Sequence, residues 1–139
     1  MDKSQTLLEV IKLIGLAGVF MLGCALGSSD SRARAGLDVV LALGAALGFW
    51  AFLQFAGGAM GPGVTRLPGS FGNPNTSATL FGMLLAIALG GGVSRARSAP
   101  DRAGFSETAP YWGAGLVFAV CALATASRGG FTATAAGLI

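Results

Sequence analysis

The charges of this 139-residue chain are confined to narrow bands, and the bands leave uninterrupted neutral stretches from Leu13 to Ser29, Val39 to Thr65, Leu67 to Ser94 and Thr108 to Ser127. Each stretch has an apolar centre. The hydrocarbon of a bilayer is about 30 Å thick, and a helix rising about 1.5 Å per residue needs roughly 20 residues to cross it. The pattern therefore predicts an all-α, polytopic membrane helix bundle of about four transmembrane helices, near Leu8 to Gly27, Gly36 to Ala59, Ser77 to Val93 and Tyr111 to Ala126. A fifth apolar run, Phe131 to Ile139, is too short to span and is expected as a partial helix. The whole is read as one transmembrane region.

Composition supports this over a soluble fold. Hydrophobic residues make 53% of the chain against 11% charged, with mean hydropathy +0.71, and the segment Val39 to Ala59 offers almost no polar face beyond Gln54. A surface helix of a soluble bundle needs such a face. A cleavable signal peptide is the rival reading of the first segment, but Asp2 and Glu9 dilute the basic leader it requires. Glu9 and Lys12, three apart, fit either an interfacial ion pair or a buried role. The net charge of +3 rests on so few groups that it describes loop flanks, and nucleic acid is not an expected partner.

Several chemistries drop out. With no histidine present, imidazole bases, Ser/His and Cys/His pairs and His-containing metal sites are excluded, and no cofactor is expected. Cys24 and Cys121 both lie in apolar stretches and read as small hydrophobes more readily than as a disulfide. The 23 glycines and 25 alanines suit closely packed membrane helices. Small residues four apart (Gly23/Gly27, Gly44/Gly48, Ala86/Gly90, Gly115/Ala119) are read as packing texture, because so small-residue-rich a chain produces them by chance.

Lys and Arg in short loops set orientation. Segment Ser28 to Ala35 carries Arg32 and Arg34, and Ser94 to Pro110 carries Arg95, Arg97 and Arg102; the other side has Arg66 in Gly61 to Thr76 and Arg128 after the fourth span. The first two are expected in the cytoplasm. Lys3 and Lys12 would then lie outside, a conflict that upstream helices would resolve, so the chain is expected to be a piece of something longer. A transporter or channel finds no support, since no acidic residue sits deep in a span and Asp38 marks a boundary.

Two motifs face the outer side. In GPGVTRLPGSFGNPNT, residues 61 to 76, Pro and Gly force an irregular backbone that must be satisfied by protein or water. Asn73 before Pro74 is a favoured helix cap, which leaves the positive end of the third span outward, a place for an anion or simply a capped helix. In Thr125 to Gly130, Arg128 stands between two apolar runs, as either a functional arginine or one snorkelling to headgroups. Arg66, Arg128, Asn73 and Asn75 share one face on this topology and are the candidate substrate-binding residues for a phosphate or diphosphate.

At these motifs, Gly69-Ser70-Phe71-Gly72-Asn73-Pro74-Asn75 and Thr125-Ala126-Ser127-Arg128-Gly129-Gly130, and at ALGFWAFLQF from Ala46 to Phe55, the chain resembles the O-antigen ligase and polymerase superfamily of bacterial polytopic membrane glycosyltransferases. The resemblance covers roughly residues 35 to 139. It implies a metal-free site at the periplasmic face of the bacterial inner membrane, where a glycan leaves an undecaprenyl-diphosphate carrier for lipid A core or another acceptor, as in lipopolysaccharide biosynthesis. The role of holding the carrier diphosphate would pass to Arg128. The family's catalytic histidine and a further arginine lie in a later periplasmic loop that has no counterpart here, so the resemblance implies an amino-side fragment or truncated relative, with no catalytic residue of its own. The alternative is a small non-catalytic helical membrane subunit packing in a larger complex. Its partners would be membrane lipid and other membrane protein subunits. Continuation of the reading frame past Ile139 into more spans and a histidine-bearing loop would favour the fragment.

Overall fold

A computed structural model describes residues 3–61, 63–98 and 103–127, together with 132 and 134. The described residues are all-helical: α1 (Lys3–Gly27), α2 (Asp30–Ala56), α3 (Pro74–Ser98) and α4 (Ala103–Ala124), with a single 3₁₀ turn at Gly69–Phe71 between α2 and α3. Three segments, Val10–Gly27 of α1, the whole of α2 and the whole of α3, are long and apolar enough to cross a membrane. The fourth expected span falls outside that group. The first turns of α4 carry Glu107, Thr108 and Pro110, which shorten its apolar stretch, and the helix buries Tyr111, Phe118 and Cys121 among its neighbours. The run expected at 131–139 lies outside the described residues except for 132 and 134.

The helices extend beyond the apolar stretches that suggest them. Arg32 and Arg34, read as loop residues, stand on the first turns of α2, and only Ser28 and Ser29 separate it from α1. Arg95 and Arg97 stand on the last turn of α3. Backbone hydrogen bonding continues as long as polar side chains can reach water, so hydropathy marks the lipid-facing length and not the helix end. At the other limit, α2 stops at Ala56, three residues before the expected 59. Gly58, with φ +69, ends it in a Schellman motif: Gly58 N–H donates to Phe55 O at 3.1 Å and Ala59 N–H to Gln54 O at 3.0 Å.

The chain divides into two compact units, 1–39 and 40–139. In the first, Val10–Gly27 of α1 has no buried residue, and Leu13, Leu16, Val19, Phe20, Met21 and Leu22 stand exposed around the helix. From Leu13 onward this helix is apolar on all sides, and such a surface finds its solvent in lipid. In the second, α3 and α4 run antiparallel, with Gly91 meeting Tyr111, Ala88 meeting Gly115, and the Phe81 and Phe118 rings stacked at 6.5 Å between centroids. The carboxyl part of α2 closes on this pair through Gly44, against Leu84 and Phe118, and Gly48, against Phe81, Val117 and Cys121. The Cys121 thiol donates to Gly48 O at 3.3 Å. Leu41, Ala51, Leu67, Leu84, Ala88 and Phe118 belong to the resulting core.

Candidate functional site

At one end of the second unit, the carboxyl end of α4 meets the connection between α2 and α3. The last carbonyls of a helix have no intrahelical partner and must find one elsewhere. Here the connection supplies it. Leu67 N–H donates to Ala124 O at 2.9 Å, while the Leu67 side chain, fully buried, anchors the connection in the core. Arg66 Nε donates to Thr125 O at 2.8 Å. A cation at the negative end of a helix dipole is favourable, and a charged donor makes the stronger hydrogen bond.

The same guanidinium reaches α3, with Nη2 donating to Asn75 Oδ1 at 3.3 Å. The start of α3 is held as the Asn-Pro pattern predicts. Asn73 Oδ1 accepts from Asn75 N–H at 2.9 Å, Asn73 O accepts from Ser77 N–H at 3.1 Å, and Pro74 occupies the first helical position. Behind the clasp, the buried Ser77 hydroxyl donates to Pro68 O at 2.6 Å. Two left-handed glycines, Gly69 (φ +58) and Gly72 (φ +64), turn the backbone between these contacts. Beyond the end of α4, the buried Thr125 hydroxyl donates to Ala122 O at 2.6 Å, and Ala126 bends the chain with φ +47.

Arg66, Asn73 and Asn75 thus come together with the Thr125 end of the second motif. Arg128 lies outside the described residues, which reach Ser127 on that side. Beside the clasp, Phe71, Asn75, Thr76, Thr79, Leu80 and Met83 line a groove of about 450 Å³. Asn75 belongs to both clasp and groove, so a charged polar group and an apolar trough adjoin at one helix start. Such a junction can hold an amphipathic ligand by its polar end. Among the described residues no group of three or more Cys, Asp or Glu stands close enough to hold a metal ion.

Sequence reasoning missed Leu67, Ser77 and the Thr125 carbonyl. A serine at the start of an apolar span, and a leucine locked between Arg66 and Pro68, are the signals that mark the first two. A backbone carbonyl leaves none. Compared with known proteins, the chain matches no family model, no curated protein and no solved structure.

Proposed function

We propose that this chain is an O-antigen ligase-like membrane fragment of cell-surface polysaccharide assembly. In this reading it contributes part of an extracytoplasmic site for an undecaprenyl-diphosphate-linked glycan in the bacterial inner membrane, and is catalytically incomplete alone. The observation that carries the reading is the Arg66 guanidinium, held between Thr125 O and Asn75 Oδ1 at the start of α3. The described contacts use only part of its donor fork, and a planar fork already fixed in place loses little freedom on meeting a phosphate. The groove past Asn75 offers apolar walls for the first part of a polyprenyl chain. Arg128, two residues past Ala126, would add a second fork from the α4 side.

Binding of undecaprenyl diphosphate to the detergent-solubilised chain is expected to weaken about tenfold in Arg66→Lys and in Arg128→Lys, since an ammonium keeps the charge and loses the bidentate geometry. Unchanged affinity in both variants would reject the site. The second reading, a non-catalytic helical subunit, draws on the fact that both described Arg66 contacts are to its own chain, which is what a purely structural clasp requires. On that reading the wild-type chain binds no carrier lipid, and Arg66→Lys lowers only thermal stability.

Orientation is tested separately. The end of α3 bearing Arg95 and Arg97 is assigned to the cytoplasm, and the Arg66 end to the outside. A membrane-impermeant thiol reagent applied to intact spheroplasts is expected to modify Ser70→Cys and to spare Ser98→Cys until the membrane is opened. The reverse pattern inverts the assignment.

A further inference from the structure

We propose that a second groove, at the opposite end of α3, is a seat for one anionic glycerophospholipid. Ala86, Leu89, Gly90, Val93, Ser94, Arg97 and Ser98 of α3, with Trp112 of α4, line an open volume of about 770 Å³. Arg97 lies 22 residues along α3 from Asn75, roughly 33 Å at about 1.5 Å per residue, so the two ends of the helix reach opposite surfaces of a bilayer.

The lining changes character along its length. Its mouth holds the exposed Arg97 and the Ser94 and Ser98 positions, where the Ser98 hydroxyl is tied to Ser94 O at 3.0 Å. Deeper in, the walls are Val93, Gly90, Leu89 and Ala86, reaching about 17 Å below Arg97 at about 1.5 Å per residue. That depth takes an acyl chain from headgroup level toward the bilayer centre. Trp112 borders the groove, as an interfacial indole does where one edge is apolar and the other wet.

Charge selects the headgroup. The neighbouring Arg95 lies over the Tyr111 ring, 4.5 Å from its centroid, whereas Arg97 stands exposed at the groove mouth. The carboxyl end of a helix carries roughly half an elementary negative charge, which the full charge of Arg97 outweighs. A basic pocket between membrane helices on the side rich in Arg is suited to an anionic lipid head, with the phosphodiester on the guanidinium and an acyl chain in the trough. A protein helix seated there would trap the Arg97 head against apolar surface, at a cost in desolvation that a lipid avoids. This inference does not depend on the carrier-lipid site.

The test uses the full chain in vesicles with Trp50→Phe, which leaves Trp112 as the sole tryptophan. Quenching of Trp112 by phosphatidylglycerol with brominated acyl chains, against equally brominated phosphatidylcholine, reads lipid preference at the groove. Quenching is expected to favour phosphatidylglycerol about fivefold in apparent affinity, to lose that preference in Arg97→Gln and to keep most of it in Arg97→Lys. Gly90→Leu, which fills the trough, is expected to reduce quenching by both lipids. Equal quenching by the two lipids, or an unchanged preference in Arg97→Gln, would overturn the proposal. So would weak quenching by both in a chain that sediments as a dimer, which would assign the groove to a second copy.

Discussion

Gly48→Leu is expected to lower the thermal midpoint of the detergent-solubilised protein by about 10 °C, while Gly23→Leu leaves it nearly unchanged. Both glycines lie inside helices and both belong to a small-residue spacing, Gly23/Gly27 and Gly44/Gly48, yet their surroundings differ. A side-chain carbon at Gly48 would sit 3.2 Å from Phe81 Cε1, 3.4 Å from Cys121 Sγ and 3.5 Å from Val117 Cγ1, whereas one at Gly23 meets nothing within 4 Å. Leucine adds three further carbons at the point where α2 closes on α3 and α4. Overpacking a filled core costs about 1 to 3 kcal/mol. Glycine's poor helix propensity offsets little of this in a membrane-like medium, where the separated helices stay helical and only their packing is lost. Near-ultraviolet circular dichroism during a thermal scan, which reads aromatic packing such as that of Phe81 and Phe118, with size-exclusion profiles before and after, separates the two variants. Equal losses in both would show that the Gly48 approach holds nothing together.

Gly69→Ala is expected to release the connection between α2 and α3, and with it the Arg66 clasp. Two costs add at this position. A φ of +58 disfavours any residue with a side-chain carbon by about 1 to 2 kcal/mol. The new carbon would also stand 2.5 Å from Ser77 Oγ, so the Ser77 bond to Pro68 O must break, at about 1 kcal/mol. Exchange of the Leu67 amide, which donates to Ala124 O, is expected to speed up by about two orders of magnitude when followed by mass spectrometry. Gly63→Ala provides the comparison. Its φ is +91 but nothing lies within 4 Å, so it bears the conformational cost alone. Adding Ser77→Ala to Gly69→Ala removes the colliding oxygen and is expected to recover part of the protection, a coupling the double-mutant cycle isolates. A Gly69→Ala chain with wild-type exchange at Leu67 would mean that the connection is held from elsewhere.

The lesson of these two positions extends to the chain as a whole. Spacing alone put Gly23/Gly27 and Gly44/Gly48 in one class, whereas the structure separates them, because the distinction is made by Leu84, Phe118, Phe81 and Cys121 arriving from other helices. The cap at Asn73-Pro74 was readable because all its partners lie within four residues. The Arg66 bond to Thr125 O joins residues 59 apart and was not readable from local pattern. It depends on α3 and α4 packing antiparallel in a register that brings the end of one beside the start of the other.

What the sequence determined by itself is the helical character and the membrane-scale length of its apolar segments. Both follow from the position of charge along the chain, and the cost of exposing a backbone polar group to lipid leaves a single-chain segment little besides helix. What tertiary structure decided is which glycines are contact points, how far each helix runs past its apolar part, and which backbone carbonyls Arg66 and Leu67 satisfy. Those outcomes turn on distances of a few ångströms between side chains remote in sequence, and close packing resolves them only when all the helices are in place.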